Sequence, residues 1–189
     1  YSNGLTPFGE QGDFITAPES GELFARCLAQ SIASVLESLD HGVVMELGAG
    51  SGVLAVDLLS ALQDIDALPE RYYILERSAA MRAAQTELLH RRLPELVARI
   101  EWLDRLPAQP FAGVIFGNEV ADALPVKRFR WKEGCVTELG TGWENSGLSV
   151  CECPGSDDLQ AYVCRLAQEA RWEGDYTSEY CPALPAWIN

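Results

Sequence analysis

Three glycines at alternate positions, Gly48, Gly50 and Gly52, close a short apolar run, Val43-Val-Met-Glu-Leu47, and an apolar pattern resumes at Val53. A run of that length suits a buried parallel strand, and strand, glycine turn, helix is how α/β folds build a nucleotide pocket. Lacking Cβ atoms, such a turn lets a ligand approach the backbone. The helix behind it aims unpaired N–H groups and the positive end of its dipole at that ligand. The spacing excludes two familiar versions of the device. Val53 stands where G-x-G-x-x-G needs its third glycine, and no Gly-Lys-Ser or Gly-Lys-Thr closes the turn as a P-loop would. An ordinary tight strand-to-helix turn would satisfy the same glycines.

Polar residues also mark the ends of other apolar runs. Glu76 ends Tyr72-Tyr-Ile-Leu-Glu76, where a carboxylate can accept two hydrogen bonds from the vicinal hydroxyls of a ribose; a solvated carboxylate beside Arg77 is the plainer alternative. Residues 102–104 follow a third run and would flank a base, although Trp102 serves equally well as a core or surface aromatic. Asn118 and Glu119 follow a fourth run, Ala112-Gly-Val-Ile-Phe-Gly117. Asp122, three residues past Glu119, could cap the turn at Ala123.

These groups need a scaffold, and the chain supplies one in order. A glycine- and proline-rich loop over residues 1–15 leads to Thr16-Ala-Pro-Glu19, a capping box that predicts a helix over about 17–39. The first strand and glycine turn follow, then a helix from Val53 that is apolar on more than one side. Next come a strand over 72–76, a helix capped by Ser78 and stopped by Pro94, a weaker strand over 99–102 and a strand over 112–117. That alternation predicts an α/β fold with a mostly parallel sheet and helices on both faces. Beyond Pro125 the pattern becomes an antiparallel meander over 126–131, 135–139 and 148–153, then a helix capped by Ser156, then an irregular stretch over 173–189. We expect a single domain: lid loop and helix (1–40), cofactor-binding core (41–125), meander (126–155), helix and tail (156–189). Arg128, Arg130 and Lys132 share one strand face, which suits a charged sheet edge that resists aggregation or a partner-docking stripe.

Composition narrows the function classes. The 189 residues carry 28 acidic against 14 basic side chains, a net charge of −14 that disfavours binding to a phosphate backbone. No apolar run reaches the roughly 18 residues that would span a bilayer, so a soluble protein is expected. Six scattered cysteines suggest buried or idle thiols in a reducing compartment. Cys151 and Cys153 share a strand face but lack two further ligands, so no metal is expected. The chain starts at Tyr1 and stops inside an apolar phrase, which reads as a piece of a longer polypeptide.

Glu46-Leu-Gly-Ala-Gly-Ser-Gly52 is similar to the first motif of class I S-adenosylmethionine-dependent methyltransferases. Joined to Gly12-Asp-Phe-Ile-Thr16, Pro18-Glu19, Leu75-Glu-Arg-Ser78, Gly117-Asn-Glu119 and Asp122-Ala-Leu-Pro125, it resembles the MidA / NDUFAF7 family (DUF185) along the whole chain. The resemblance implies a class I, Rossmann-like methyltransferase fold whose final strands lie outside this piece. It implies S-adenosyl-L-methionine as cofactor, held by Glu46, Gly48, Gly50, Gly52 and Glu76 and covered by a lid containing Thr16, Pro18 and Glu19. It further implies methyl transfer to an arginine of a protein substrate, with Asn118, Glu119 and Asp122 at the acceptor. Nucleic-acid and membrane partners are not expected, and the oligomeric state stays open. The location would be cytoplasmic in a bacterium or the mitochondrial matrix in a eukaryote. Gly21 departs from the bulkier segment the family tends to keep there, which touches the shape of the lid. A non-catalytic assembly factor that retains the cofactor pocket is the alternative.

Overall fold

A computed structural model describes residue 18 and residues 21–39 and 42–188. The chain divides into two compact units, Tyr1–Val120 and Ala121–Asn189.

In the first unit, four strands form a wholly parallel sheet: β1 (Val43–Leu47), β2 (Arg71–Leu75), β3 (Ile100–Leu103) and β4 (Gly113–Phe116), in the order β3-β2-β1-β4. The chain steps outward from β1 to β2 to β3 and then returns to the other side of β1. Strand order therefore reverses between β1 and β4, and the crevice beyond their carboxyl ends is where such sheets bind ligands. Register keeps those ends level, with Leu47 beside Leu75 and Leu75 beside Leu103.

Three helices accompany the sheet: α1 (Leu23–Leu36), α2 (Val53–Asp64) and α3 (Ala79–Arg92). On α1, Ala25, Ala29 and Ala33 recur every four residues and are buried with Ile32 and Leu36, a small-residue stripe that lets α2 approach closely. On α2, Leu54, Ala55, Val56, Leu58, Leu59, Ala61 and Leu62 are all buried, because α2 packs against both α1 and α3. Each fully buried leucine contributes roughly 1.5–3 kcal/mol, which anchors the helix that supports the glycine turn. Ser78 caps α3 by accepting a hydrogen bond from the Met81 amide at 3.4 Å, and His90, Arg91 and Arg92 complement the dipole at its far end.

The helix expected over 17–39 is shorter than its apolar spacing suggests. It starts at Leu23, because Gly21 sits at φ +140°, where no helix continues. Pro18 lies buried in a tight 3-10 turn, and Thr16 and Glu19 fall outside the described residues. At the other end α1 stops at Leu36, and the hydroxyl of Ser38 donates to the Val35 carbonyl at 2.7 Å.

The second unit is an antiparallel sheet of β5 (Lys127–Lys132), β6 (Cys135–Glu144), β7 (Gly147–Pro154) and β8 (Tyr176–Tyr180), in the order β7-β6-β5-β8. It is joined by α4 (Asp157–Glu169) and the short α5 (Leu184–Ile188). Its core gathers Phe129, Val136, Leu159 and Val163, with Trp172 stacked near Phe129 at 6.4 Å between ring centroids.

Three expectations are corrected here. The stretch 173–189 is not irregular: β8 pairs with β5, Tyr176 packs tilted against Trp172 and Tyr180 stacks on Tyr162, both with ring centroids 4.3 Å apart. The cationic stripe is not a sheet edge, since β5 has a neighbour on each side. Arg128 meets Glu179 at 3.8 Å, Arg130 pairs with Glu152, and Lys132 meets Asp175 at 3.6 Å. These half-exposed pairs add little stability each and instead match the sheet's charge pattern. The loop expected between 139 and 148 is strand, because β6 runs on to Glu144. The reversal is confined to Asn145 and Ser146, whose φ angles of +49° and +64° suit a two-residue hairpin turn.

The six cysteines are free thiols, and Cys27, Cys135 and Cys153 are exposed rather than buried. Among the described residues, no helix is long and apolar enough to cross a membrane.

Candidate functional site

The glycine turn leaves β1 with Gly48 at φ +63°, Gly50 at +54° and Gly52 at +86°, all in the left-handed region that side-chain-bearing residues rarely occupy. The three glycines face different surroundings. Gly48 is exposed at the carboxyl end of the interior strand β1, whereas Gly52 is buried at the start of α2. A Cβ on Gly52 would lie 3.2 Å from Cγ and 3.4 Å from Cα of Gln85, so the bare backbone here is what lets α3 close on the turn.

Gln85 is wholly buried, and its carboxamide ties three strand ends together. Its Nε2 donates to the Gly50 carbonyl at 2.9 Å and to Glu76 Oε2 at 3.3 Å, while its Oε1 accepts from Trp102 Nε1 at 3.0 Å. The indole N–H can only donate and the other two partners can only accept, so the network fixes the orientation of the amide. Glu76 is held from both sides, because its Oε1 also accepts from the Ser78 amide at 2.8 Å. The Glu76 amide in turn donates to the Leu103 carbonyl at 3.0 Å.

The carboxylate expected to meet a ribose is thus half-buried, aimed toward the glycine turn and steadied by two donors. Each oxygen of an ionised carboxylate has two acceptor positions, so both retain one for a hydroxyl donor. That donor chemistry fits a vicinal diol. The exposed Gly48 leaves backbone accessible beside it.

Glu46 behaves differently. It is 2% exposed, and Tyr72 Oη donates to its Oε2 at 2.7 Å. Burial pushes its carboxyl up from an ordinary 4.5 to about 7, with the Tyr72 hydrogen bond opposing part of that rise. Burial and the adjacent carboxylate push Tyr72 well above its usual range.

Beyond β4, the chain turns back over the glycine turn. Cβ atoms placed on Gly48 and Gly117 would lie 3.4 Å and 3.1 Å from Val120 Cγ2. The segment 117–120 therefore sits at the β1–β4 switch point and carries half-buried Asn118 and exposed Glu119 there. Glu119 adopts φ +53°, a conformation that costs a non-glycine residue on the order of 1–2 kcal/mol. Asp122 belongs to the second unit, exposed in the 3-10 turn Ala121–Ala123. Trp102 lies inside β3 rather than after it, its ring nitrogen committed to Gln85.

Gln85 and Tyr72 were not among the residues that spacing selects. Gln85 does leave a trace: it falls four residues after Met81 and four before Leu89, a polar residue on the core-facing stripe of α3.

A parallel sheet of order 3-2-1-4 with a three-glycine turn after β1 and a braced carboxylate after β2 defines a nucleoside-cofactor protein of the class I methyltransferase type. Comparison with known proteins agrees. The family described as "Putative S-adenosyl-L-methionine-dependent methyltransferase" matches residues 27–189. Among solved structures, a methyltransferase-like protein from Burkholderia thailandensis with S-adenosyl-homocysteine bound is 34% identical, with a TM-score of 0.80 over 97% of this chain and 48% of that one. A native crystal structure from the same organism is 37% identical, with a TM-score of 0.75 over 95% of this chain and 47% of that one. Two curated relatives, each called protein arginine methyltransferase NDUFAF7 homolog, mitochondrial, come from Caenorhabditis elegans and Drosophila melanogaster. They are 26% and 28% identical over 68% and 85% of this chain. The chain spans 34% and 40% of their lengths. The chain belongs to this family of S-adenosyl-L-methionine-dependent methyltransferases.

Proposed function

We propose that this chain carries the cofactor-binding part of a methyltransferase that modifies an arginine of a protein. The observation that carries the reading is the Glu76 carboxylate, braced by Ser78 and Gln85 at the same strand-end level as the glycine turn. The names of the curated relatives support arginine as acceptor and a mitochondrial location if the source is eukaryotic; a bacterial protein would be cytoplasmic. The acidic balance of the chain suits a cationic partner. We take residues 41–125 as the cofactor-binding core of one domain that also includes the meander.

Glu76 and the backbone at Gly48 and Gly50 hold the cofactor in this proposal, with Glu46 and Gly52 shaping the turn from beneath. When bound, S-adenosylmethionine supplies a methyl group already activated by its sulfonium. The chain's own task is to place an acceptor in line and keep water out. Glu119 accepts charge-assisted hydrogen bonds from the guanidinium, Asn118 orients it, and Glu119 receives the proton its nitrogen loses.

Calorimetry on the full-length protein, followed by label transfer to extract proteins and analysis for methylarginine, tests this. Glu76→Ala should weaken cofactor binding by about tenfold or more. Glu119→Gln should keep binding but slow transfer by about 10²-fold or more. Cofactor binding by the wild type without any transfer would instead favour an assembly factor that works by binding.

A further inference from the structure

We propose that Gln85 is a positioning residue that gives the cofactor site its preference for a complete ribose; this rests on the methyltransferase reading above. The argument starts from burial. A wholly buried carboxamide is costly unless its donors and acceptor are satisfied, and all of them are spent here on three elements that meet at the strand ends. The partners are not interchangeable with packing atoms. One is the carbonyl of the central glycine of the turn, one is the carboxylate after β2, and one is the indole of β3, so a single side chain sets the spacing of turn and carboxylate.

The consequence falls on Glu76. With Ser78 alone, only Oε1 is fixed and the carboxylate can rotate about its last torsion; the Gln85 bond to Oε2 removes that freedom. A carboxylate locked at both oxygens presents two acceptor positions in a fixed plane, which is what simultaneous bonds to the 2′ and 3′ hydroxyls require. A free carboxylate would still bond one hydroxyl and would care less about the loss of the other. Selectivity for the diol is therefore placed in Gln85, a residue that itself touches no ligand.

The test compares S-adenosylhomocysteine with its 2′-deoxy derivative by calorimetry, using full-length wild type, Gln85→Met and Gln85→Glu. Wild type should bind the deoxy compound about 10-fold or more weakly, the value of one hydrogen bond to a charged group. Gln85→Met, close in volume but without polar atoms, should lose about 10-fold or more toward S-adenosylhomocysteine and under about threefold toward the deoxy compound, collapsing the discrimination. Thermal denaturation confirms that the variant is folded. Gln85→Glu keeps an acceptor for Trp102 but offers no donor to Glu76 when ionised, so at neutral pH it should collapse the discrimination as the methionine variant does, providing a second reading if that variant does not fold. Equal weakening toward both ligands, with the wild-type ratio intact, would overturn the proposal and leave Gln85 as structural support. Wild type that binds S-adenosylhomocysteine without discrimination would also overturn it, through Glu76. Wild type that binds neither ligand would sink the methyltransferase reading itself.

Discussion

Glu46→Gln should reshape the pH dependence of stability more than its size suggests. In the folded protein the Glu46 carboxyl titrates near 7, and in the unfolded chain near its ordinary 4.5. Between those values the native state binds a proton that the unfolded state has released, so stability falls as pH rises through this window. It is fully present below about 4.5, declines toward 7 and levels off above, because the buried charge is then carried by the native state at a cost. At 1.36 kcal/mol for each pH unit of difference, the total is roughly 3 kcal/mol. Glutamine matches the protonated carboxyl in shape and still accepts the Tyr72 hydroxyl proton, so it should remove the decline without opening a cavity. Urea denaturation of both proteins at half-unit steps from pH 4.5 to 8.5 measures it. The curves should nearly coincide at the acid end, diverge from about pH 5 and run parallel again above about pH 7, with the variant more stable by up to about 3 kcal/mol at pH 8. Parallel curves across the whole range would refute the claim that Glu46 enters the fold protonated.

Two substitutions test the scaffold itself. Gly113→Ala places a Cβ 1.8 Å from the Val43 carbonyl oxygen and 2.7 Å from its carbon, backbone atoms that no rotamer change can move. Pairing of β1 with β4 should open, at a cost of about 3 kcal/mol or more by chemical denaturation; a loss under about 1 kcal/mol would mean the strands can separate freely. In the second unit, Phe129→Ala empties a side chain that is 1% exposed and stacks near Trp172, and should cost about 3–5 kcal/mol, followed by loss of the near-ultraviolet tryptophan signal.

The first unit's strands lie within a residue or so of where the sequence places them, for a physical reason. Fully buried parallel strands are continuous apolar runs, and Val43–Leu47 announces itself without help from its neighbours. β8 gives no such signal. Tyr176–Tyr180 places three polar residues between two tyrosines, and becomes a strand only because β5 lies open beside it and Trp172 and Tyr162 receive its tyrosines. The start of α1 misleads in the opposite direction. Thr16-Ala-Pro-Glu19 carries the local chemistry of a cap, yet Gly21 at φ +140° separates it from the helix that begins at Leu23.

The site was legible as a motif but not as a machine, and the glycine turn shows why. Alternate glycines look equivalent in sequence, and in the structure all three do share positive φ. In space Gly48 is open beyond the carboxyl end of β1, while Gly52 surrenders its side-chain volume to Gln85 from α3. Glu46 and Glu76 form a similar pair: each carboxylate sits at the end of a strand, but one is sealed against Tyr72 and the other is held half-open by donors. What separates the open from the buried members in both pairs is a contact across 26 to 35 residues of chain, Tyr72 with Glu46 and Gln85 with Gly50. Local spacing carries no record of such contacts. A polar residue on the core-facing stripe of a helix is the nearest trace of one, which makes Gln85 on α3 the position where sequence pattern and site geometry meet.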